Sequence, residues 1–380
     1  MSILPYTSEH HQFRSDLREF LKTEITPYVD QWEKDHIVPK SAWQKMGKQG
    51  FLSTSISKTY GGRGGDFLYS VIVSEEMPKT NHSGLSAPLH SDIVVPYIDS
   101  YASDTLKQKY LPGCVSGDII TAVAMTEPGA GSDIASITTT AVEMDDMVII
   151  NGSKTFISNG INADLVILAA RDPQVENAYQ AISLYLVDSD APGFSRGRQL
   201  EKMGFNSQDT AELFFSSCKI PKTNILGQKG NGFLMLMQKL QQERLVCSIG
   251  ALASAESILD MTVSFLRTHS FNGKPMIKHQ ATQFAIVEMT TVLKVSRAFV
   301  EQLSLDHMHG KNVIVETSMA KYWTTDQVKR IAYRCMDLMG EHALLESSQI
   351  ARAMRDVRVM SIFAGTNEIM KGIAAKFMGL

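Results

Sequence analysis

Apolar residues in the first third of the chain recur at helical spacing. Phe13, Leu17, Phe20 and Leu21 fall at i, i+4, i+7 and i+8, so residues 8–34 are predicted to be helical, with Pro27 as a break or kink. Helical patterns follow over 41–50 and, after the glycine loop YGGRGG at 60–65, near 68–79, 86–101 and 103–111. Near residue 118 the period changes. The runs ITAVAM (120–125), MVIING (147–152), ADLVILAA (163–170), ISLYLV (182–187) and TAELFF (210–215) read as short strands. No long helix separates them, which predicts an antiparallel barrel or sandwich. After Gly232 long helical segments return, broken at Asn272–Gly273, Gly310 and Gly340, as in a bundle of antiparallel helices. The expected class is α+β: a helical N-terminal domain (1–118), a middle β-barrel or sandwich (119–230) and a C-terminal helical bundle (231–380).

Composition narrows the function. At roughly 100–200 residues per domain, a chain of 380 residues accommodates two or three domains. With 44% hydrophobic and 20% charged residues it is not a disordered chain. Lys+Arg 37 against Asp+Glu 40 gives a net charge of −3, which argues against nucleic acid as a partner. The longest apolar runs, such as Leu165–Ala170, fall far short of the roughly 20 residues of a membrane span. The start, MSILPYTSEHHQFRSDL, lacks the basic and apolar regions of a signal peptide. Cys114, Cys218, Cys247 and Cys335 are too scattered for a metal site and too few for a disulfide framework. The expectation is a soluble protein of a reducing compartment with no metal signature.

Several motifs carry candidate chemistry, each with a plainer reading beside it. Met125-Thr-Glu-Pro-Gly-Ala-Gly-Ser-Asp133 follows a predicted strand. Gly129 and Gly131 would let the backbone turn sharply into an anion cradle with Thr126 and Ser132 as donors; a simple β-turn fits equally well. In Ser153-Lys-Thr-Phe-Ile-Ser-Asn-Gly160, period two puts Phe156 and Ser158 on one strand face, either flanking a planar cofactor or packing across strands. Gly193-Phe-Ser195-Arg-Gly197 matches a nucleophile elbow, but it lacks the strand before it and the apolar helix after it, and reads as a surface loop. His307 and His309, two apart on a helix, share no face for a metal. Glu243 sits among apolar residues with Lys239 at i−4. It reads either as an i,i+4 ion pair or as a carboxylate held against apolar surface and suited to taking a proton. In Ile362-Phe-Ala-Gly-Thr-Asn-Glu-Ile-Met370, Ala364-Gly365 permits close backbone approach and Thr366 suits a helix cap.

In order and spacing, AMTEPGAGSD, NGSKTFISNG, TAELFF, ERL, MAKYW (319–323) and GTNEIM together resemble the acyl-CoA dehydrogenase family, most closely its long-chain branch and more distantly its isovaleryl branch. The resemblance covers essentially the whole chain. It implies a helical N-terminal domain, a β-barrel middle domain, a C-terminal four-helix bundle and a homotetramer. It also implies FAD-dependent α,β-desaturation of an acyl-CoA or acyl-carrier thioester, in which a carboxylate removes the α-proton and the β-hydride passes to FAD N5. Electrons would leave to an electron-transfer flavoprotein. Most members place the base just before the C-terminal Gly-Thr, where this chain has Ala364; the long-chain and isovaleryl branches use a glutamate before an arginine, here Glu243 before Arg244. By the same resemblance Met125, Thr126, Gly131 and Ser132 line FAD, with Ser132 also near substrate. Phe156 and Ser158 contact the flavin, and Thr366 and Glu368 complete the pocket. Arg244, Ala364 and Gly365 lie at the substrate, Ala364 supplying a backbone N–H.

Two departures fall in the half of the FAD site that family members donate across a subunit interface. Counting back from Gln280, His269 stands where an arginine of the family reaches the neighbour's FAD, so the resemblance implies His269 and Gln280 as cofactor contacts there; a small local shift would bring in Arg267 and Phe271 instead. The family's Gln-x-x-Gly-Gly segment reads Asp337-Leu-Met-Gly-Glu341, placing carboxylates near a pyrophosphate. These changes leave two other readings open: a subunit of a heteromer whose partner supplies the missing contacts, or an acyl-CoA oxidase. Asp92 and Pro96, in helix 86–101, replace small residues expected at the base of the acyl pocket. The expected location is cytoplasmic, or the mitochondrial matrix for a processed eukaryotic chain.

Overall fold

The computed structural model describes residues 3–82 and 84–380. The N-terminal region is helical. It comprises α1 (Ser8–Phe20), α2 (Val29–Asp35), α3 (Lys40–Lys48), α4 (Phe67–Glu76), α5 (Val95–Tyr101) and α6 (Asp104–Ser116). The stripe over 8–34 is real but interrupted. A π turn at Leu21–Ile25 and a 3-10 turn at Thr26–Tyr28 containing Pro27 separate α1 from α2. A second π turn, Leu89–Val94, runs directly into α5 with Pro96 in its first turn; the Asp92 carbonyl, four residues before that proline, accepts from Gln242 Nε2 at 2.7 Å instead.

The middle region holds β1 (Thr121–Ala124), β2 (Thr140–Met144), β3 (Met147–Ser158), β4 (Leu165–Arg171), the short α7 (Ala178–Ala181), β5 (Ile182–Asp188), β6 (Phe194–Gln199), β7 (Thr210–Pro221) and β8 (Ile225–Leu226). They form one eight-stranded sheet in the order β6-β7-β3-β2-β4-β5-β8, with β1 pairing β4. The expectation of a wholly antiparallel sheet needs correction: β1 runs parallel to β4, Thr121 opposite Leu165. Alternate residues of β4 and β5 enter different cores. Leu165, Ile167, Leu184 and Leu186 pack toward α5, α6 and the helix that follows the sheet; Val166, Leu168, Tyr185 and Val187 pack within the sheet's own core. Burial on both faces explains why these strands read as unbroken apolar runs. A second correction concerns Ser195. It lies in edge strand β6 rather than in a loop, and it is exposed.

The C-terminal region contains α8 (Gly232–Thr268), the hairpin β9 (Ser270–Phe271) and β10 (Lys274–Pro275), α9 (Gln280–Met308), α10 (Ile314–Met339), α11 (Gln349–Val357) and α12 (Asn367–Met378). By length and composition α8 alone among the described residues would suit a membrane, but it runs through the core. Leu245, Ile249, Leu252, Ala255 and Leu259 pack against Leu293 of α9 and Val328 of α10. Arg297 of α9 ties this bundle to the N-terminal helices by pairing with both Glu75 of α4 and Glu256 of α8.

Candidate active site

Three stretches distant in sequence meet around Glu243. The middle of α8 presents Glu243 and Arg244, both buried. Tyr97 enters from α5, fully buried, and Lys321 enters from α10 with no exposed surface. The Glu243 Oε2, the Arg244 Nε and the Tyr97 hydroxyl all lack hydrogen-bond partners although they are buried. Buried polar groups are rarely left so, and their cost is borne where a ligand completes them. Lys239 does not pair with Glu243. It donates to Ser100 Oγ at 2.6 Å, so the ion-pair reading fails.

Burial pushes the Glu243 carboxyl up to about 7, against the opposing charges of Arg244 and Lys321. Burial likewise raises the Tyr97 hydroxyl far above its usual range, with the Glu243 charge adding to it. Nearby, Asp92 is buried, accepts from Ser70 Oγ at 2.6 Å and is pushed up to about 7 by burial. Gln242 Nε2 donates to the Asp92 carbonyl at 2.7 Å, tying the π turn to α8.

The C-terminal turn closes on this cluster. Ala364 has φ +54° and Gly365 φ +89°, a left-handed pair ahead of α12. The φ of Gly365 favours glycine there, and a Cβ would also lie 2.6 Å from the flexible Met370 Cε, which would have to swing aside. Thr366 caps α12 by accepting from the Ile369 N–H at 3.3 Å. Among the described residues the N–H groups of Ala364 and Gly365 donate to nothing. Lys321 Nζ donates to the Gly365 carbonyl at 2.6 Å and to Asn367 Oδ1 at 3.2 Å, which fastens the turn to α10.

A second group gathers at the end of β1. Glu127 and Ala130 exchange backbone hydrogen bonds across a tight turn. Neither Gly129 nor Gly131 adopts a positive φ, so glycine freedom is not what makes this turn. Its anchor is a buried ion pair, Lys154 Nζ to Glu127 Oε1 at 2.8 Å. Burial would raise the Glu127 carboxyl, but hydrogen bonds from Lys154, Thr139 and Thr138 hold it at about 2. Lys154 also donates to the Met125 carbonyl at 3.0 Å, and the Thr155 N–H to the Thr126 carbonyl at 2.9 Å. Segment 125–127 is thereby laid alongside β3. Phe156 does not follow simple alternation. It sits at a bulge, where the pairing with β7 shifts register between Lys154 and Ile157, with φ +56° and its ring 67% exposed. Ser132 is exposed, Ser158 half-buried, and the hydroxyls of Thr126, Ser132 and Ser158 have no protein partner among the described residues. Met125 packs in the same apolar cluster as Tyr97 and Leu236 of α8, which joins this group to the first.

The remaining sequence candidates lie elsewhere. From Glu243 to His269 is 26 residues of one helix, roughly 39 Å at about 1.5 Å per residue. His269, Gln280 and the 337–341 segment therefore cannot serve the same ligand end as Glu243 within one chain. The His269 ring stacks on Phe265 at 3.7 Å, and Asp337 faces Arg334 at 4.0 Å. Arg267 and Phe271 are exposed on either side of His269, and Glu368 is exposed in the first turn of α12. Sequence reasoning singled out neither Tyr97 nor the partnership of Lys321 with residues 365–367. A lysine at an inward helical position inside MAKYW was the available signal.

The three family models of acyl-CoA dehydrogenase match in order: the N-terminal domain over 7–118, the middle domain over 122–218 and the C-terminal domain over 230–379. The chain belongs to the acyl-CoA dehydrogenase family. It is 40% identical over 372 residues to the long-chain specific acyl-CoA dehydrogenase of Rattus norvegicus mitochondria, covering 98% of this chain and 86% of the relative. It is 29% identical to the mitochondrial isovaleryl-CoA dehydrogenase of Oryza sativa, over 99% of this chain and 92% of that one. The solved acyl-CoA dehydrogenase of Geobacillus kaustophilus superposes with a TM-score of 0.98 at 48% identity, covering all of both chains.

This acyl-CoA dehydrogenase homologue is accordingly a flavin-dependent oxidoreductase that uses FAD. Its own residues fit that cofactor. An isoalloxazine offers a flat ring and a polar rim; the exposed Phe156 ring and the free hydroxyls of Thr126, Ser132 and Ser158 match that chemistry. No side chain would crowd the approach at Gly129 or Gly131, where a Cβ would meet open space.

Proposed function

We propose that this acyl-CoA dehydrogenase desaturates an acyl thioester between Cα and Cβ, with Glu243 as the base that takes the α-proton. The observation that carries the reading is a buried carboxylate with a free oxygen whose proton affinity lies near neutrality. An α-proton beside a thioester carbonyl is weakly acidic, so its base works best with a pKa near the operating pH. Exclusion of water strengthens every charge around it. The Ala364 N–H, free in a turn pinned by Lys321, supports a role as donor to the thioester oxygen, where enolate charge develops. Ala364 itself carries no acid, which leaves the proton to Glu243. FAD, when bound, supplies the hydride acceptor; Met125, Thr126, Gly131, Ser132, Phe156 and Ser158 would hold it, Thr366 and Glu368 completing the pocket. Arg244 and Gly365 would border the substrate.

The far end of α8 would serve the FAD of another copy in a homotetramer, with His269 and Gln280 as the contacts, or Arg267 and Phe271 in place of His269 after a small local shift. Arg334 beside Asp337 offsets the carboxylate that would otherwise face a pyrophosphate. The acceptor of electrons would be an electron-transfer flavoprotein.

The test is an anaerobic absorbance titration of the purified protein with acyl-CoA thioesters from four to eighteen carbons. Bleaching of the flavin band supports the dehydrogenase and ranks the chain lengths. A colourless protein that gains flavin only with a second subunit would overturn the self-sufficient reading, and rapid reoxidation by oxygen would mark an oxidase.

A further inference from the structure

Asp92 is a buried carboxyl with a single donor. It is 4% exposed, and Ser70 Oγ bonds its Oδ1 at 2.6 Å, while its Oδ2 meets no protein donor among the described residues. The surrounding packing gives no reason for a charge there. Val94, Val95, Tyr97 and Ile98 of the same segment fill an apolar cluster with Met235 and Leu236 of α8. A carboxyl held in such a place by one hydroxyl is costly unless a ligand completes it.

The contacts of Asp92 place it beside the helix that carries Glu243. Gln242 Nε2 donates to the Asp92 carbonyl at 2.7 Å, and Gln242 directly precedes Glu243 on α8. Ser70 and Gln242, the two groups that bond Asp92, also line a cleft of about 300 Å³ with Phe67, His307 and Met308. The Phe67 and His307 rings meet edge-on at 4.9 Å there. On the other side, Tyr97 of the same segment turns its free hydroxyl into the Glu243 cluster. Asp92 therefore stands at the junction of the cleft and that cluster, in a π turn, an irregularity common at functional sites.

We propose that Asp92 is a specificity-determining residue at the distal end of the acyl site: its free Oδ2 receives a hydroxyl at the far end of the acyl chain and disfavours a plain methyl end. This rests on the reading of the protein as an acyl-thioester dehydrogenase with Glu243 as base. Ser70 holds one carboxyl oxygen and Gln242 holds the backbone, so Oδ2 is the group left to read the ligand. A hydroxyl suits it in either protonation state, donating to the carboxylate or accepting from the carboxylic acid. An apolar end would keep Oδ2 buried and unpaired, the kind of mismatch by which a polar site discriminates most strongly. The substrate class is thus an ω-hydroxyacyl thioester.

The experiment measures affinity by anaerobic calorimetry in the flavin-loaded Glu243→Gln protein, with straight-chain acyl-CoAs from four to eighteen carbons against their ω-hydroxy counterparts. The expected result is a chain length at which the ω-hydroxy thioester binds about tenfold tighter or more. Asp92→Leu should lose that preference, and Asp92→Asn, whose amide oxygen still accepts, should keep most of it. A role in folding alone would weaken both ligands together and leave their ratio unchanged. Equal affinity for the two series at every length overturns the proposal, as does a preference that survives Asp92→Leu. If Asp92→Leu does not fold, Asp92→Ala takes its place with the same two readings. Flavin bleaching by the same thioesters tests the reading beneath it separately. Bleaching that persists in Glu243→Gln overturns the base and leaves the affinity ratio to decide on Asp92; no bleaching by any thioester in the wild type overturns the dehydrogenase.

Discussion

A base for carbon acids has to be desolvated and still able to ionise, and Glu243 shows the cost of that compromise. Glu243 is 7% exposed, and burial pushes its carboxyl up from 4.5 to about 7. A group whose folded pKa is raised binds more protons folded than unfolded. Stability is therefore greatest below the unfolded pKa and falls as pH rises from about 4.5 to about 7. Glu243→Gln is expected to be more stable than the wild type at pH 8, by up to roughly 3 kcal/mol, and the gap should close by pH 4.5. Chemical denaturation at the two pH values checks this. The glutamine variant should at the same time lose a factor of about 10²–10⁴ in flavin reduction. The sequence left Glu243 open between an ion pair with Lys239 and a carboxylate against apolar surface, and the Glu-Arg pair pointed to a base only through the family resemblance. The neighbours that tune it were not legible, because Tyr97 and Lys321 lie on other helices and reach Glu243 only through packing.

At the scale of elements, two turns hold the site and each depends on one buried lysine. The Lys154–Glu127 pair fixes segment 125–127 against β3, and breaking a buried pair by removing one partner typically costs about 3–5 kcal/mol. Lys154→Met is expected to lower thermal stability and to lose flavin on gel filtration, read as a rise in the ratio of protein to flavin absorbance. Gly365→Ala places a methyl against Met370 Cε in a left-handed turn. It should unseat the turn and slow flavin reduction more than it weakens flavin retention, since the isoalloxazine candidates sit on the sheet. The strands and long helices were legible because their periods are local. The parallel pairing of β1 with β4 and the bulge at Phe156 were not, since both are set by which distant strand lies alongside. Alternation alone placed Phe156 on a regular strand face; the register shift against β7 is what turns its ring outward.

For the whole molecule, the surface of α9 is the unfinished part. Phe284, Val287, Val295 and Phe299 form an exposed stripe, while Ala285, Met289, Leu293, Val300 and Leu303 fill the core from the other side. Apolar side chains in line on one face of a long helix mark an interface. With the proposed homotetramer, light scattering should give four times the 42.0 kDa chain mass. Phe284→Lys combined with Val295→Lys should reduce the mass and, because the far end of α8 is proposed to complete a neighbour's site, release flavin as well. Glu243 in turn remains buried whether or not the copies assemble. The central claim is thus most directly tested by anaerobic stopped-flow reduction of the flavin by the best acyl-CoA in wild type and Glu243→Gln, both confirmed as flavin-loaded. The account predicts rapid bleaching in the wild type and essentially none in the variant on the same timescale. Equal bleaching in both would contradict it and require another base.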